Sequence, residues 1–590
     1  MKDIDPITVE IIHNRLMAIT KEAGLALQNA AASTVVVDAK DLGFNISDHL
    51  GRIIVYSVWM PRHGTTLSYM LRSCLDRFKD NIFPGDMFLV NNPYDGALHL
   101  PDIALMAPVH AGEELLGWVG CAAHHLDVGA MAVRVPHATE CHQEGIVFRP
   151  IKLMEKGELR EDIFRHFLDN VRFPHLQGLD LKAQIASLNV ATVKLQELSH
   201  RYGIDTIKAC YEEIIALSEM KARERIRSLP DGKYEAIDYI DFDKDYRLKC
   251  TLTVKDDSLH FDFEGTDPQA DGFVNSTLAC SVANVHNVVV CMLFADIPSN
   301  EGCLRPIEVS IPEGTVLNCK PPAPSSGSSV IGGWKAQIIA LQALSRAVEK
   351  SPEWWRANAS WGAAHTEAFL HVIDAAAKGR LLAPLHGGLQ GGGARATKDG
   401  FDVANEALEQ RFPILYLRRG MALDSGGAGK YRGGLCGEVA MKLHKLKEGE
   451  KGECLLYYVN MRHPPSGEQG GQPGLTPLVL IKRQTNAGQL LASDNLPTFA
   501  EISGNAEEPE PRSHPFPIAE DDVIYYRCAG GGGFGDPLER EAEKVASDVK
   551  EGYISEKKAK TEYGVVLLPG STEVDMSATQ TLRSKMRKQS

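Results

Sequence analysis

Nowhere in the 590 residues is there a run of about 18 apolar residues, the length that crosses a bilayer as a helix, so no membrane span is expected. The N-terminus, Met1-Lys2-Asp3-Ile4-Asp5-Pro6, has neither the basic nor the apolar region of an export signal. A cytoplasmic location is therefore expected, with all twelve cysteines remaining thiols. No C-x-x-C pair occurs among them, which argues against a disulfide framework and an all-cysteine zinc site. Basic charge is also scarce. The formal net charge is -14, and the only basic cluster, Lys585, Arg587 and Lys588, sits in a terminal stretch. Phosphate backbones and anionic membranes are held by clustered Lys and Arg, so neither is expected as the main partner.

What is present is an ordinary globular balance, 44% hydrophobic and 24% charged, in a chain too long for one core. The first helix is easily read: Asp5 caps it, Pro6 suits its first position, and Val9, Ile12, Leu16, Ile19 and Ala23 fall at helical spacing. From about residue 34 the pattern turns to strands: the β-branched Thr34-Val35-Val36-Val37, then Ile53 to Tyr56 after a turn at Asp48–Arg52. A helix follows over 65–80, then strands Met87–Val90, Ile103–Val109 and Leu115–Ala123. Residues 179–228 read as two helices broken at Tyr202-Gly203. The expected class is mixed α+β. An N-terminal α/β region with a helical hairpin (1–230) leads into a mixed α/β region (231–320), a β-rich glycine-loop part (321–566) and a flexible tail (567–590).

The stretch richest in chemistry is Asn91-Asn92-Pro93-Tyr94-Asp95-Gly96-Ala97-Leu98-His99-Leu100-Pro101-Asp102, followed by His124-His125-Leu126-Asp127. If 103–109 and 115–123 form a hairpin, a turn near Gly112 pairs positions summing to about 223–225, placing His124 opposite residues 99–101. Pro101 keeps His99 and Asp102 on an extended loop. Two imidazoles and a carboxylate converging on one point form a divalent-metal set: zinc first, with manganese or iron also compatible. His125 and Asp127 are expected to support those ligands from behind. The competing reading is structural, since a His-x-x-Asp pair and a His-His pair at a strand end often bond only to backbone.

Glycine-rich stretches carry less chemistry. Residues 530–535 contain a formal G-x-G-x-x-G after a strand, but no acidic strand end follows at the dinucleotide spacing. A loop placing the last helix is the better reading, and the glycines at 387–393 and 426–434 read as tight turns. No G-x-x-x-x-G-K-[ST] loop occurs, so if ATP is used its phosphates are expected to be cradled by another chain.

The motifs resemble those of the hydantoinase B/oxoprolinase family, in order along residues 5–566. Asp5-Pro6-Ile7-Thr8-Val9-Glu10 is similar to its N-terminal signature, and the segments from Asn92 to Asp102 and from His124 to Gly129 to its two histidine motifs. Ala138-Thr139-Glu140, Gln143-Glu144-Gly145, Asn300 to Pro306, Asp424 to Gly429 and Gly530 to Leu538 follow. The resemblance implies His99, Asp102 and His124 as metal ligands, with Asp41 as a fourth. The segment Lys40-Asp41-Leu42-Gly43-Phe44-Asn45 departs there from the family's Asp-Phe-Ser. It also implies a hetero-oligomer, in which a hydantoinase A-like ATPase binds ATP and phosphorylates a small substrate that this chain then processes at its metal. The catalytic set so implied is His99, Asp102, His124, His125 and Asp127. Two reactions are expected of such a pair: hydrolysis of a cyclic amide (a lactam, hydantoin or oxoproline-like ring), or carboxylation of a ketone through an enol phosphate. A non-catalytic scaffold with structural histidines is the third possibility.

Overall fold

The computed structural model describes residues 4–56, 59–131, 135–348, 365–374, 380–390, 405–448, 450–458, 461–492, 497–510 and 515–588. They divide into two compact units, one of residues 4–238 and 246–347, the other of 239–245 and the described residues from 348 on. The class is mixed α and β, as expected. Among the described residues, no helix is long and apolar enough to cross a membrane.

The first unit is built on an antiparallel sheet of β1 (Leu42–Asp48), β2 (Ile53–Tyr56), β3 (Met87–Val90), β4 (Asp102–Ala111), β5 (Glu114–His124), β6 (Ile151–Glu155) and β7 (Glu158–Leu159). Its strand order is β2-β1-β5-β4-β3-β6-β7. Helices cover both faces, so the central strands are buried along nearly their whole length instead of alternating with solvent. Alternation decides which helix each side chain meets. Leu42, Phe44, Ile46, Ile103, Leu105, Val119, Cys121 and Ala123 share a core with α1 (Pro6–Ala30), α2 (Thr34–Val37), α4 (Glu161–Asp169), α5 (Pro174–Tyr202) and α6 (Ile204–Arg227). Ala104, Met106, Trp118 and Ala122 turn to the opposite face and pack on Leu67, Met70, Leu71 and Cys74 of α3 (Pro61–Phe78).

Several local expectations hold. The Asp5 carboxylate accepts the Ile7 N–H at 3.3 Å with Pro6 in the first turn, and Gly203, at φ 83°, separates α5 from α6. Others need correction. Thr34–Val37 is not a strand but one helical turn, capped by Ser33, whose backbone N–H and that of Ala32 are held by Asp180 at 3.1 and 2.7 Å. These local hydrogen bonds override β-branched propensity. Residues expected as a flexible tail contain the helix Met576–Met586, capped by Asp575, with Arg583 donating to the Tyr563 carbonyl at 3.0 Å.

The unit continues with a four-stranded sheet and two longer helices, Leu278–Leu293 and Gly332–Ala347. The second helix is preceded by an irregular segment, residues 320–329, that returns below.

The second unit holds a four-stranded and a five-stranded sheet. Of the glycines expected in turns, Gly387 and Gly388 lie in the strand Arg380–Gln390, while 391–393 lie outside the described residues. Segments 425–434, 466–474 and 530–535 lie backbone against backbone. The Gly427 N–H donates to Gly531 O at 2.8 Å, Gly531 N–H to Gly434 O at 2.9 Å, Gln472 N–H to Ala428 O at 2.7 Å and Gly533 N–H to Gln472 O at 2.8 Å. A Cβ on Gly530 would lie 1.7 Å from Ser425 O, and one on Gly532 1.7 Å from Ser466 O. Gly530–Gly535 is therefore the middle of a packed bundle of peptide planes, and more than a loop ahead of a helix.

Candidate metal centre

Three neighbouring strands deliver three of the site's side chains to one end of the first sheet. Asp102 opens β4 and His124 closes β5, and the two are register partners. Asp41 immediately precedes β1, whose first residue, Leu42, pairs with Ala123, and the His124 N–H donates to the Asp41 carbonyl at 3.0 Å. The hairpin register differs slightly from the sequence reading. Pairs sum to 225 at the turn and to 226 beyond a bulge between Val109 and His110, so His124 faces Asp102 itself.

His99 comes from the loop before β4. Its Nε2 lies 3.1 Å from His124 Nδ1 and 3.3 Å from Asp102 Oδ1, while His124 Nδ1 lies 3.0 Å from the same oxygen. Asp41 Oδ2 is 3.8 Å from His124 Nδ1. His99, Asp102 and His124 are 2, 2 and 6% exposed, and their donor atoms all lie within 4.8 Å of one another.

One residue of the site escaped the sequence reading. His63, in the first turn of α3, places Nε2 3.3 Å from Asp41 Oδ1. Gly43 permits this approach, since a Cβ there would lie 2.5 Å from the His63 Cβ. A signal was present: Pro61 marks a helix start earlier than residue 65, and a histidine in a first turn, against the helix dipole, calls for a carboxylate partner.

His125 and Asp127 are not brought to this cluster. Consecutive strand residues face opposite ways, so His125 enters the core on the α5 side, its Nδ1 2.7 Å from Gln177 Oε1 and its Nε2 2.9 Å from Gln184 Oε1. Asp127 holds Arg172, accepting its backbone N–H at 2.5 Å and its guanidinium at 2.6 Å.

The electrostatics suit a cation. Burial pushes the His124 imidazole down to about 4, against the pull of Asp102, so the ring is neutral near pH 7 and keeps one nitrogen lone pair. Burial alone would raise Asp102, but the charges of His99 and His63 and hydrogen bonds from His124 and His99 hold it well below the usual carboxylate range. Asp41 is also lowered, burial being outweighed by the His63 hydrogen bond and the charges of His124 and His63. His63 shifts upward, because Asp102 and Asp41 outweigh its burial.

The fit to a metal follows from the donors. His99 Nδ1 is 3.0 Å from the Ser326 carbonyl, which can only accept, so Nδ1 carries a proton, and Nε2, the nitrogen beside Asp102 and His124, is the one a metal would take. Two donors each about 2.1 Å from a tetrahedral ion stand about 3.4 Å apart, close to the spacings found here. Two imidazoles and one or two carboxylates are a common donor set for zinc, manganese or iron.

The sequence matches the hydantoinase B/oxoprolinase family over residues 5–537. It is 28% identical to the beta chain of the caprolactamase of Pseudomonas jessenii, covering 99% of this chain and 100% of the other. It is also 28% identical to a chain of Pseudomonas sp. (strain NS671) provisionally named as the B-type component of a D-/L-hydantoinase, covering 99% and 98%. The nucleotide-free structure of an acetone carboxylase superposes with a TM-score of 0.85 at 22% identity, covering all of this chain and 84% of that one, and so shares the fold. With the family matched over most of its length, the chain belongs to the hydantoinase B/oxoprolinase family.

Proposed function

We propose that this chain is the metal-bearing component of a two-part, ATP-dependent enzyme that opens a cyclic amide: a lactam, hydantoin or oxoproline-like ring. The observation that carries the proposal is the triangle of His99 Nε2, His124 Nδ1 and Asp102 Oδ1, 3.0–3.3 Å on a side and almost closed to solvent. A cation there would replace the hydrogen bonds that Asp102 accepts and would take lone pairs from His99 Nε2 and His124 Nδ1. Asp102 would supply negative charge, and Asp41, braced by His63, would complete the donors from the partly open side. Zinc is the first choice for this set. A divalent cation there would polarise a carbonyl or phosphoryl oxygen and lower the pKa of bound water.

Unstrained amides resist attack by water, and phosphorylating the amide oxygen supplies both driving force and a leaving group. The ATP for that step is bound by a hydantoinase A-like partner, in keeping with the absence of a phosphate loop from this sequence. Both Pseudomonas relatives are named as one component of a larger enzyme, which supports a heteromeric assembly. Incubating the co-purified pair with ATP and a panel of lactams and hydantoins tests the reading. Metal-dependent ring opening of at least one is the expected result, and none with any ring counts against it.

The fold shared with an acetone carboxylase favours a second reading, carboxylation of an enol phosphate by bicarbonate-derived carbon dioxide. Labelled bicarbonate appearing in a ketone product, with no ring opened, would select it.

A further inference from the structure

The histidine whose tautomer matters most, His99, does not rest on its own sheet. Its Nδ1–H is held by the Ser326 carbonyl, in a segment more than two hundred residues along the chain. That segment, 322–326, belongs to no helix or strand, yet each of its carbonyls is engaged. Pro322 O accepts from the Cys141 N–H at 2.8 Å, Ala323 O from the Tyr94 hydroxyl at 2.7 Å, Pro324 O from Asn275 Nδ2 at 3.0 Å, and Ser325 O from the Ser328 N–H at 2.9 Å. Ser328 Oγ in turn donates to Leu98 O, beside His99, at 2.5 Å. The donors at Ser325 and Ser326 go to a single group. Glu144 Oε2 accepts the Ser325 N–H at 2.8 Å and Oε1 the Ser326 N–H at 2.7 Å, with the side chain 3% exposed.

We infer that Glu144 is a positioning residue of the metal centre: its two oxygens clamp consecutive N–H groups and so aim the Ser326 carbonyl at His99 Nδ1. The inference rests on the metal-centre reading above and adds a residue that reaches the centre only through a peptide. Three features separate it from an incidental loop contact. The clamp uses both oxygens on adjacent peptides, which fixes orientation as well as position. Glu144 is itself tied back to His99 by the other route, because Asn91 Nδ2 donates both to Ile146 O and to Leu100 O, at 2.9 Å each. The circuit Glu144–Ile146–Asn91–Leu100–His99–Ser326–Glu144 is thus closed by hydrogen bonds and short runs of chain. Finally, a buried carboxyl is costly to keep (burial pushes this one up to about 7 against the two N–H bonds), so a neutral acceptor would serve better if only a cap were required.

Glu144→Gln keeps the volume but turns an NH2 group toward one of the two N–H donors. Zinc affinity of the dialysed full-length protein, measured by competition with a chelator, is expected to fall about 10- to 100-fold, the usual cost of disturbing a ligand's hydrogen-bonding partner. Long-range 1H–15N spectra of histidine-labelled metal-free protein, with His99 assigned by its loss in His99→Gln, provide a readout that needs no metal. They should show one Nδ1–H tautomer in the unmodified protein and a tautomer mixture in E144Q. Thermal unfolding shows that the variant is folded. Wild-type zinc affinity in E144Q together with an unchanged tautomer overturns the inference. If the unmodified protein takes up no zinc, the metal-centre reading fails, and the tautomer alone then decides whether Glu144 orients His99. Should E144Q not fold, Glu144→Asp carries the test. One carbon shorter, it cannot span both N–H groups and is expected to weaken zinc by a smaller factor, with unchanged affinity and tautomer counting against the proposal.

Discussion

At the end of the first sheet, side chains from four separate elements reach for one point; in the second unit, three segments press together at glycines such as Gly427, Gly433, Gly530 and Gly532, where there is no room for a side chain. Asp41, His63, His99, Asp102 and His124 matter through the groups they carry, and the backbone around them serves to aim those groups. Gly427, Gly433, Gly530 and Gly532 matter through what they lack, since their neighbours are carbonyl oxygens that cannot yield. The two regions should therefore fail differently. A substitution at the centre should remove chemistry and spare the fold, while one among the glycines should remove the fold locally and leave ligand identities untouched.

The largest effect is expected at the glycines. Gly530→Ala places a methyl 1.7 Å from Ser425 O, and because backbone must move, the loss exceeds about 3 kcal/mol, read as a lowered melting temperature or loss of soluble protein. Next comes the centre. His99→Ala should weaken zinc by more than about 100-fold, beyond the usual cost of losing a supporting residue, while the melting temperature of the metal-free protein changes little. His125→Ala sharpens this contrast within one dipeptide motif: zinc affinity stays, and stability drops by about 1–3 kcal/mol as the Gln177 and Gln184 groups lose their partner. His63→Ala should be milder, about tenfold in zinc affinity through a loosened Asp41, measured by the same titration. The smallest effect tests whether glycine matters by position or by type. Gly488 lies in the helix Ala487–Ala492 with nothing within 4 Å of a Cβ, so Gly488→Ala should stabilise by about 0.5–1 kcal/mol in chemical denaturation.

Much of the centre was legible because its geometry is local in sheet space. A hairpin turn near Gly112 and the strand period are enough to bring His124 beside Asp102, and a register error of one to three positions, one of them from the bulge at Val109/His110, did not change which residues meet. The same period, applied one residue further, places His125 on the opposite face, so its absence from the cluster was readable as well. His63 and Ser326 were harder. Each belongs to an element whose docking depends on packing, α3 through the space left by Gly43 and the 320–329 segment through Glu144, Tyr94 and Cys141. The glycine bundle was illegible for a related reason. Its contacts join stretches about 40 to 100 residues apart in sequence through peptide groups that every residue possesses, and the spacing of glycines alone does not say which backbone lies opposite.

The most direct test of the centre is metal analysis of the purified, untreated protein combined with an anomalous-scattering map of its crystals. The account predicts one zinc, manganese or iron ion per chain, in contact with His99 Nε2, His124 Nδ1 and an Asp102 oxygen. A protein free of such metals that also fails to take up added zinc, or a crystal structure with the two imidazoles turned away from each other, would contradict it.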